Sequence, residues 1–455
     1  MDAQPQPIFD YYVLLPHRAE PRLLLCREDS RWTLPHFSRD VQHFWQTVDH
    51  INAAMREMFN VDTTVLRCIH TGKDPLTGHI ARVYEVESHS PSWTPPEDAR
   101  WTSHEELNGL DCIVPGHRFL LEMWFLEAAG AQISPLRPPW ARRGWFEEAL
   151  EWIDTRLASL GLERSGPAVQ LRTWQRSCVL RVPVLSGDLY FKALPPMFAF
   201  EIPLLQLLAE KRPGNFPTFL AIDDTRHWML MPDLGGTLLD KVPDITRWEE
   251  GLEEYARVQI DLAPSVNDLL AVGCPDRRLN WLAGEMDELL GDTDLLKAGH
   301  EWLSGDDIVE LRSMAPDLKR MCEELTAFNI PYSIEHGDFW LGNVIATDSG
   351  YVYFDWSDSS VAHPFFSLVL IYQDEWIELP DVPDARQRLR DAYLRPWAAY
   401  EPVDRLRRAF DIAQTLAPVH NALFYRTLML PNMEAKWEME NMPPYFLKLL
   451  LKRVG

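Results

Sequence analysis

No stretch of this sequence is long and apolar enough to cross a bilayer. The longest apolar run, Phe365 to Tyr372, is interrupted only by Ser367 and falls far short of the roughly 20 residues a spanning helix needs. No C-x-x-C pair occurs among the six cysteines, Cys26, Cys68, Cys112, Cys178, Cys274 and Cys322, which argues against a zinc site or a redox dithiol. Thiols scattered this widely fit a reducing compartment, so a cytoplasmic location is expected. The opening residues, MDAQPQPIFD, lack the basic and apolar regions of a signal peptide. Positive charge is scarce: 44 Lys and Arg stand against 68 Asp and Glu, a formal net charge of −24. Such a surface repels the phosphates of nucleic acid and the anionic faces of membranes, so neither is an expected partner. It keeps the chain soluble and suits a cationic small molecule. The one basic run, "RLRRAF" at 405–410, is too short to bind nucleic acid on so acidic a chain. Internal repeats and low-complexity tracts are absent.

What is present is an ordinary globular composition, 46% hydrophobic and 25% charged over 455 residues. At roughly 100–200 residues per domain this length predicts two to four domains. The 35 prolines are expected in the loops between elements. Three blocks emerge. The first, 1–132, carries strand-like runs (Tyr11–Pro16, Arg22–Cys26, Arg82–Glu87) and a helical stretch at Val48–Phe59. A Pro- and Arg-rich linker, "ISPLRPPWARRGW", covers 133–145. A helix follows, with Trp145, Phe146, Leu150, Ile153, Leu157 and Leu160 at helical spacing and Gly161 as its stop. Strand-like "VQLRTWQRSCVLRVPVL", "GDLYFKAL", "FPTFLAID" and "HWMLMPDLGG" then surround one helix, "AFEIPLLQLLAEKRP", making a β-rich block over 146–236. From 237 to 455 the pattern is mainly helical, broken by two short strands, "NVIAT" and "YVYFDW", with a turn at Asp348-Ser349-Gly350. The expected class is therefore α+β.

Within the last of these blocks, "IEHGDFWLGNVIATDSGYVYFDWSD" (Ile334–Asp358) carries the clearest chemistry. Phosphoryl transfer from ATP asks little covalent work of a protein. It needs Mg²⁺ on the phosphates, a carboxylate to orient and deprotonate the attacking hydroxyl, and a positive group on the α- and β-phosphates. Mg²⁺ takes a few oxygen ligands and keeps several waters. Asp338 meets the need for a base, and Asn343 and Asp355 the need for metal ligands.

His336-Gly337-Asp338 with Asn343 five residues on resembles the catalytic loop of aminoglycoside phosphotransferases and choline-kinase-like enzymes, and Phe354-Asp355-Trp356 resembles their metal-binding Asp-Trp. The resemblance covers about 145–455. It implies a two-lobed protein-kinase-like fold, with a β-rich N-lobe and a helical C-lobe, that uses ATP and Mg²⁺ to phosphorylate a hydroxyl of a small molecule, cationic ones included. It further implies that Lys192 in "LYFKAL" neutralises the phosphates and that Glu201 at the start of the next helix holds Lys192. The hinge strand would be "HWMLMPDLGG", with Met229 at the rear of the pocket and Met231 to Asp233 against adenine. Between the first two strands "TWQRSC" has no glycine, leaving Ser177 and nearby amides to cover the phosphates. Relatives often carry an Asp-Leu soon after the Asp-Trp, and that Asp braces the catalytic loop; here "HPFFSL" has Ser367-Leu368, so the resemblance supplies no carboxylate for the brace. No Ala-Pro-Glu ending follows Asp355, which disfavours a protein kinase.

The first block resembles a Nudix domain in "RWTLPHF", "AAMREMFNVDTTVLR" and "ARWTSHEELNGL". Arg56-Glu57 matches that family's Arg-Glu, but its next two Glu positions fall on Asn60 and Val61, its upstream Glu on Val48 and its Gly on Gln42. Such a set cannot assemble a multi-carboxylate metal site, so the block is expected to be a hydrolytically inert α/β domain that scaffolds, captures substrate or dimerises. His300, His363 and His420 are expected to be structural, Trp376, Trp397 and Trp437 to be packing residues, and Asp358, Asp374 and Glu375 to be solvated surface that would otherwise suit a cationic acceptor. Two other functions fit parts of the pattern: a pseudokinase-like module that binds nucleotide or a small ligand without turnover, and a nucleotide hydrolase acting through the first block.

Overall fold

The computed structural model describes residues 8–454 apart from 42, 75–77, 112–114, 131, 299–301 and 374–376. Gln42, Cys112, His300, Asp374, Glu375 and Trp376 therefore lie outside the described residues. The chain packs as two compact units, one of residues up to Pro195 with Thr225–Leu230, the other of Pro196–Asp224 with Met231 onward.

The first unit begins with β1 (Phe9–Leu14), β2 (Leu23–Glu28), β3 (Arg31–Thr33), β4 (His36–Arg39), α1 (Asp49–Phe59), β5 (Thr63–Lys73), β6 (Ile80–Ser88), β7 (Ala99–Thr102), α2 (His104–Leu107) and α3 (Pro115–Ala128). They form a mixed sheet ordered β4-β1-β6-β5, with β1 and β6 parallel, and an antiparallel sheet ordered β3-β2-β7. Leu121, Trp124 and Phe125 of α3 close a core with Tyr12, Leu14 and Val83. The periodicity did not reveal β5, because register shifts at Val65/Arg67 and Cys68/His70 break its alternation.

The unit continues with α4 (Trp145–Ser159), β8 (Val169–Trp174), β9 (Ser177–Val184) and β10 (Gly187–Ala193). Gly161, at φ 71°, ends α4 as expected. β8, β9 and β10 run as successive antiparallel hairpins, and the strand at Trp228–Leu230 lies beside β10. Trp145, Trp152, Phe191 and Trp228 bind α4 to this sheet, with ring centroids 5.5 Å apart for Phe191–Trp228 and 5.9 Å for Trp145–Trp228. The 133–145 segment is anchored by Trp140, which is fully buried and whose indole donates to the Trp174 carbonyl at 2.7 Å, while Ile133 and Leu136 are exposed.

The first block and the β8 sheet join within this unit through Gln170, which is 3% exposed. Its amide nitrogen donates to the Val65 carbonyl and its amide oxygen accepts the Val65 N–H, both at 2.8 Å. Asn52 adds a donor at 3.2 Å. Nearby, Val48 N–H reaches the Leu171 carbonyl at 3.0 Å and Thr173 N–H the Gln46 carbonyl at 2.9 Å. The edge strands β5 and β8 thus satisfy one another's neighbourhood instead of facing water.

The second unit holds α5 (Glu201–Lys211), β11 (Ala221–Asp223), the last two residues of β12 (Trp228–Pro232), β13 (Thr237–Leu238), α6 (Ile245–Leu262), α7 (Val266–Ala271), α8 (Leu279–Gly291), α9 (Thr293–Ala298), α10 (Gly305–Leu325), β14 (Ser333–Glu335), β15 (Val344–Thr347), β16 (Gly350–Tyr353), β17 (Ser360–Ala362), α11 (Val369–Gln373), α12 (Ala385–Leu394), α13 (Val403–Phe424) and α14 (Met442–Val454). Its core is helical: α13 packs against α8, α10 and α14, and α12 against α6. Contrary to the loop expectation, Pro316 and Pro418 sit inside α10 and α13. Both helices are long and packed against several others, which offsets the one backbone bond each proline removes.

His363 and His420 are buried, and His363 Nδ1 accepts the Phe365 N–H at 3.3 Å. Burial lowers both imidazoles to about 3, so both are neutral in the native protein. Trp397 is fully buried, 5.4 Å from the Phe365 ring, as a packing residue should be, and Trp437 is partly exposed.

Two stability predictions follow from these contacts. Gln170→Leu strands the Val65 N–H and carbonyl, so urea unfolding of the full chain should show a loss of about 2–4 kcal/mol; an unchanged midpoint refutes the role given to this amide. A histidine whose folded pKa lies below its unfolded value stabilises fully above about pH 6.5 and loses that contribution as pH falls toward 3. Each of the two should therefore cost about 2 kcal/mol between pH 7 and pH 5. His363→Asn keeps an acceptor for Phe365 and should narrow the pH 7 to pH 5 stability gap by about that amount.

Candidate active site

Two short antiparallel pairs build the site. β14 pairs with β17 through Glu335 opposite Ser360, and β15 pairs with β16 through Val344 opposite Tyr353. The loop 336–340 leaves β14 and the loop 354–359 leaves β16, so the two pairings bring these loops side by side. Phe354, just before Asp355, is clamped from both ends. Its N–H donates to the Asn343 carbonyl at 3.1 Å, and its own carbonyl accepts from His336 Nε2 at 3.0 Å. Burial lowers the His336 pKa, which keeps the ring neutral with its proton on Nε2 for that bond. The clamp fixes the register of Asp355, whose backbone sits at φ 65°.

Asn343 is buried, and its Nδ2 donates to the Asp338 carbonyl at 2.8 Å and to Asp338 Oδ2 at 3.4 Å. Phe339 stacks on Tyr255 at 4.0 Å, and His336 lies 4.5 Å from Trp356, giving the loop an aromatic floor. Gly337 takes φ 81°, and a Cβ there would run into the Asp358 backbone.

Beneath the loop lies a polar cluster that the sequence pattern did not disclose. Glu335 is 1% exposed. Its Oε1 accepts the Gly337 N–H at 2.8 Å and the Ser367 hydroxyl at 3.3 Å. Gln259 of α6 donates to the Ile334 carbonyl at 2.9 Å and the Pro364 carbonyl at 3.2 Å. Arg277 is buried here, and its guanidinium donates to the Asp358 carbonyl at 3.3 Å. Burial pushes the Glu335 carboxyl up to about 7, against the opposing pull of the Gly337 N–H and Arg277. The available signal was a Glu immediately before the His-Gly-Asp in "YSIEHGD", since a carboxylate at an inward strand position demands partners. Asp358 corrects the expectation of solvated surface: it is 3% exposed, because β17 folds the segment back under the loop.

The remaining residues fall as follows. Glu201 is the buried first residue of α5. Met231 is half-buried in β12, and Asp233 is exposed, its Oδ1 accepting the Gly235 N–H at 2.9 Å. In the first unit, Lys192 is buried on β10 opposite Val179. Ser177 opens β9 after a two-residue turn, and its hydroxyl accepts from the Trp174 indole at 3.3 Å.

Residues 156–406, more than half of the chain, match the model of the phosphotransferase enzyme family, and the chain belongs to that family. Among curated proteins none matches. Similar solved structures include a macrolide 2'-phosphotransferase type I (14% identity, TM-score 0.43, covering 65% of this chain and 96% of that one). Two others are a choline/ethanolamine kinase family protein from Mesorhizobium loti (16% identity, TM-score 0.43, 67% and 99%) and a spectinomycin phosphotransferase in complex with ADP and spectinomycin (11% identity, TM-score 0.42, 68% and 98%).

The positive φ at Gly337 generates a direct test. Gly337→Ala should cost at least about 2 kcal/mol of stability, from left-handed strain and the collision with Asp358. Thermal unfolding checks it, and a variant as stable as wild type contradicts this loop geometry.

Proposed function

We propose that this chain transfers the γ-phosphoryl group of ATP to a hydroxyl of a small molecule. The observation that carries the reading is the tie between the Asp338 and Asp355 loops through Asn343 and Phe354. With its Nδ2 committed to Asp338, Asn343 has an amide oxygen as its remaining side-chain acceptor, and Asp355 adds a carboxylate. An all-oxygen donor set of this kind fits Mg²⁺. Asn343 and Asp355 would hold the ion, which when bound supplies charge neutralisation at the phosphate oxygens. Asp338 orients the acceptor hydroxyl and takes its proton. Lys192 neutralises the α- and β-phosphates and Glu201 positions Lys192. Ser177 covers the phosphates, and the Met231–Asp233 segment binds adenine.

The acceptor is a small hydroxylated compound, and the net charge of −24 favours a cationic one. In this reading the first block is Nudix-like but hydrolytically inert. Val61 is fully buried and Asn60 caps α1 at φ 50°, so neither takes the place of a metal-binding Glu, and Arg56 is spent on Asp62 at 2.7 Å. Cys26, Cys178, Cys274 and Cys322 are thiols, not disulfides, which supports the cytoplasm as the location.

The test is ADP release from Mg-ATP by wild type and Asp338→Asn, across aminoglycosides, choline-like alcohols, sugars and nucleosides. Acceptor-dependent release that falls roughly a hundredfold or more in the variant is the expected result, as loss of a general base implies. Mg-ATP binding with no turnover on any acceptor would instead favour a nucleotide-binding module. Turnover that survives Asp338→Asn would point to the first block.

A further inference from the structure

The family resemblance leaves the catalytic loop short of a carboxylate: position 367, where relatives often brace the loop with Asp, is Ser. The loop nevertheless needs one. Gly337 bends through φ 81° and turns its N–H inward, toward a region walled off from water. The acceptor it meets is Glu335 Oε1 at 2.8 Å. The same oxygen takes the Ser367 hydroxyl at 3.3 Å, and Ser367 Oγ in turn lies 3.4 Å from the His336 N–H, 3.3 Å from Gln259 Nε2 and 3.0 Å from the Tyr255 hydroxyl. Glu335 and Ser367 therefore sit in hydrogen-bond contact, each on one of two successive N–H groups of the backbone turn that presents Asp338. Arg277, buried beside them, sets a positive charge against the buried carboxylate.

We propose that Glu335 is the positioning residue of the Asp338 loop: its carboxylate braces the loop from the β14 side, and Ser367 relays that brace to the His336 amide. The brace lies across a hydrogen bond from the expected position, on the residue that ends β14 instead of one in the turn after β17. Glu335 holds the Gly337 N–H and position 367 faces the His336 N–H one residue before it, so an acceptor at either place ties down the same turn. No role in the chemical step is implied, because Glu335 acts through the backbone that carries Asp338. The consequence for catalysis rests on the phosphotransferase reading above; the brace itself does not.

The experiment uses the full chain at about pH 8.5, where Glu335 is ionised, with two independent readouts, amide hydrogen exchange across 334–343 and steady-state ADP release with Mg-ATP and whichever acceptor the panel identifies. Glu335→Gln keeps shape and loses charge. It should raise exchange at Gly337 about tenfold or more, because bonds to charged acceptors are the stronger ones. It should lower kcat about tenfold or more while KM for Mg-ATP moves less than about threefold, the split expected when the base is misplaced and binding is spared. Adding Ser367→Asp to Glu335→Gln returns a carboxylate to the other side of the contact and should restore most of both losses. A merely structural role predicts a stability loss without that rescue, and either no rescue or unchanged exchange in Glu335→Gln overturns the proposal. Where Glu335→Gln fails to fold, Ser367→Ala serves: it leaves the carboxylate in place and should raise exchange at His336, and no rise overturns the relay. A wild type silent toward every acceptor sinks the phosphotransferase reading, while the exchange comparison still decides the brace.

Discussion

Glu335 carries a carboxylate into a site that is 1% exposed, and the partners it needs come from separate stretches of the chain. Ser367 arrives from the turn after β17 to donate to it, Arg277 comes from the strand-like segment beside β17 to set its charge against it, and Gln259 and Tyr255 of α6 reach it only through Ser367. Burying an ionisable group without partners costs several kcal/mol, and a half-satisfied polar network is worse than an apolar core. The cluster therefore works as a specification. The contacts among β14, β17, α6 and the 363–368 turn set the path of residues 336–343, although they engage one oxygen of Glu335 and leave its Oε2 buried without a hydrogen-bond partner among the described residues. Phe354 then passes the placement on, because its two backbone bonds end on Asn343 and His336. The positions of Asp338, Asn343 and Asp355 relative to one another are thus consequences of a polar core none of them belongs to.

A comparable device works in the first unit. Gln170 presents its side-chain amide to the Val65 peptide as a neighbouring strand would, donating to the carbonyl and accepting from the N–H. Both strands are irregular at this place, with register shifts after Val65 in β5 and after Gln170 in β8. A bulge turns an edge strand away from regular pairing, and the amide fills the gap that results. The bridge between Thr47 and Arg172 covers more of the β8 edge. The first block is thereby bound to the sheet that bears Lys192 as part of one compact unit, and the Pro- and Arg-rich segment between them is structural: the buried Trp140 would not tolerate a free tether.

What could be read from the sequence was whatever is encoded locally. The His-Gly-Asp loop, the Asn, the Asp-Trp and the hairpin with its turn at Asp348 span about two dozen residues, and every bond that defines them is short in sequence. The long helices α6, α8, α10 and α13 of the second unit and Gly161 were legible for the same reason, whereas α7, α9, α11, α12 and α14 were not. Glu335 was not singled out, because its meaning lies in Arg277, Gln259 and Ser367, which are dozens of residues distant. Asp358 was misjudged because a charged residue after a turn reads as surface until β17 is known to fold back over it. β5 escaped because its bulges destroy the period-two signal, and Gln170 because a polar residue in a strand gives no hint that it bonds a peptide 105 positions away.

These two classes of residue answer to different constraints. A base must reach a hydroxyl and a metal ligand must offer oxygen at fixed distance, so residue type and spacing are set by the chemistry and persist as a motif. A brace needs only an oxygen within about 3 Å of one N–H, and the fold offers that point from more than one direction. Ser367 where a relative has Asp is then a rearrangement and not a defect, since the neighbouring strand residue is a glutamate that bonds Ser367 and the next N–H of the same turn. The same reasoning limits what a missing motif residue can say about activity: the atom is what the loop requires, and the structure, not the position in the sequence, shows where that atom comes from.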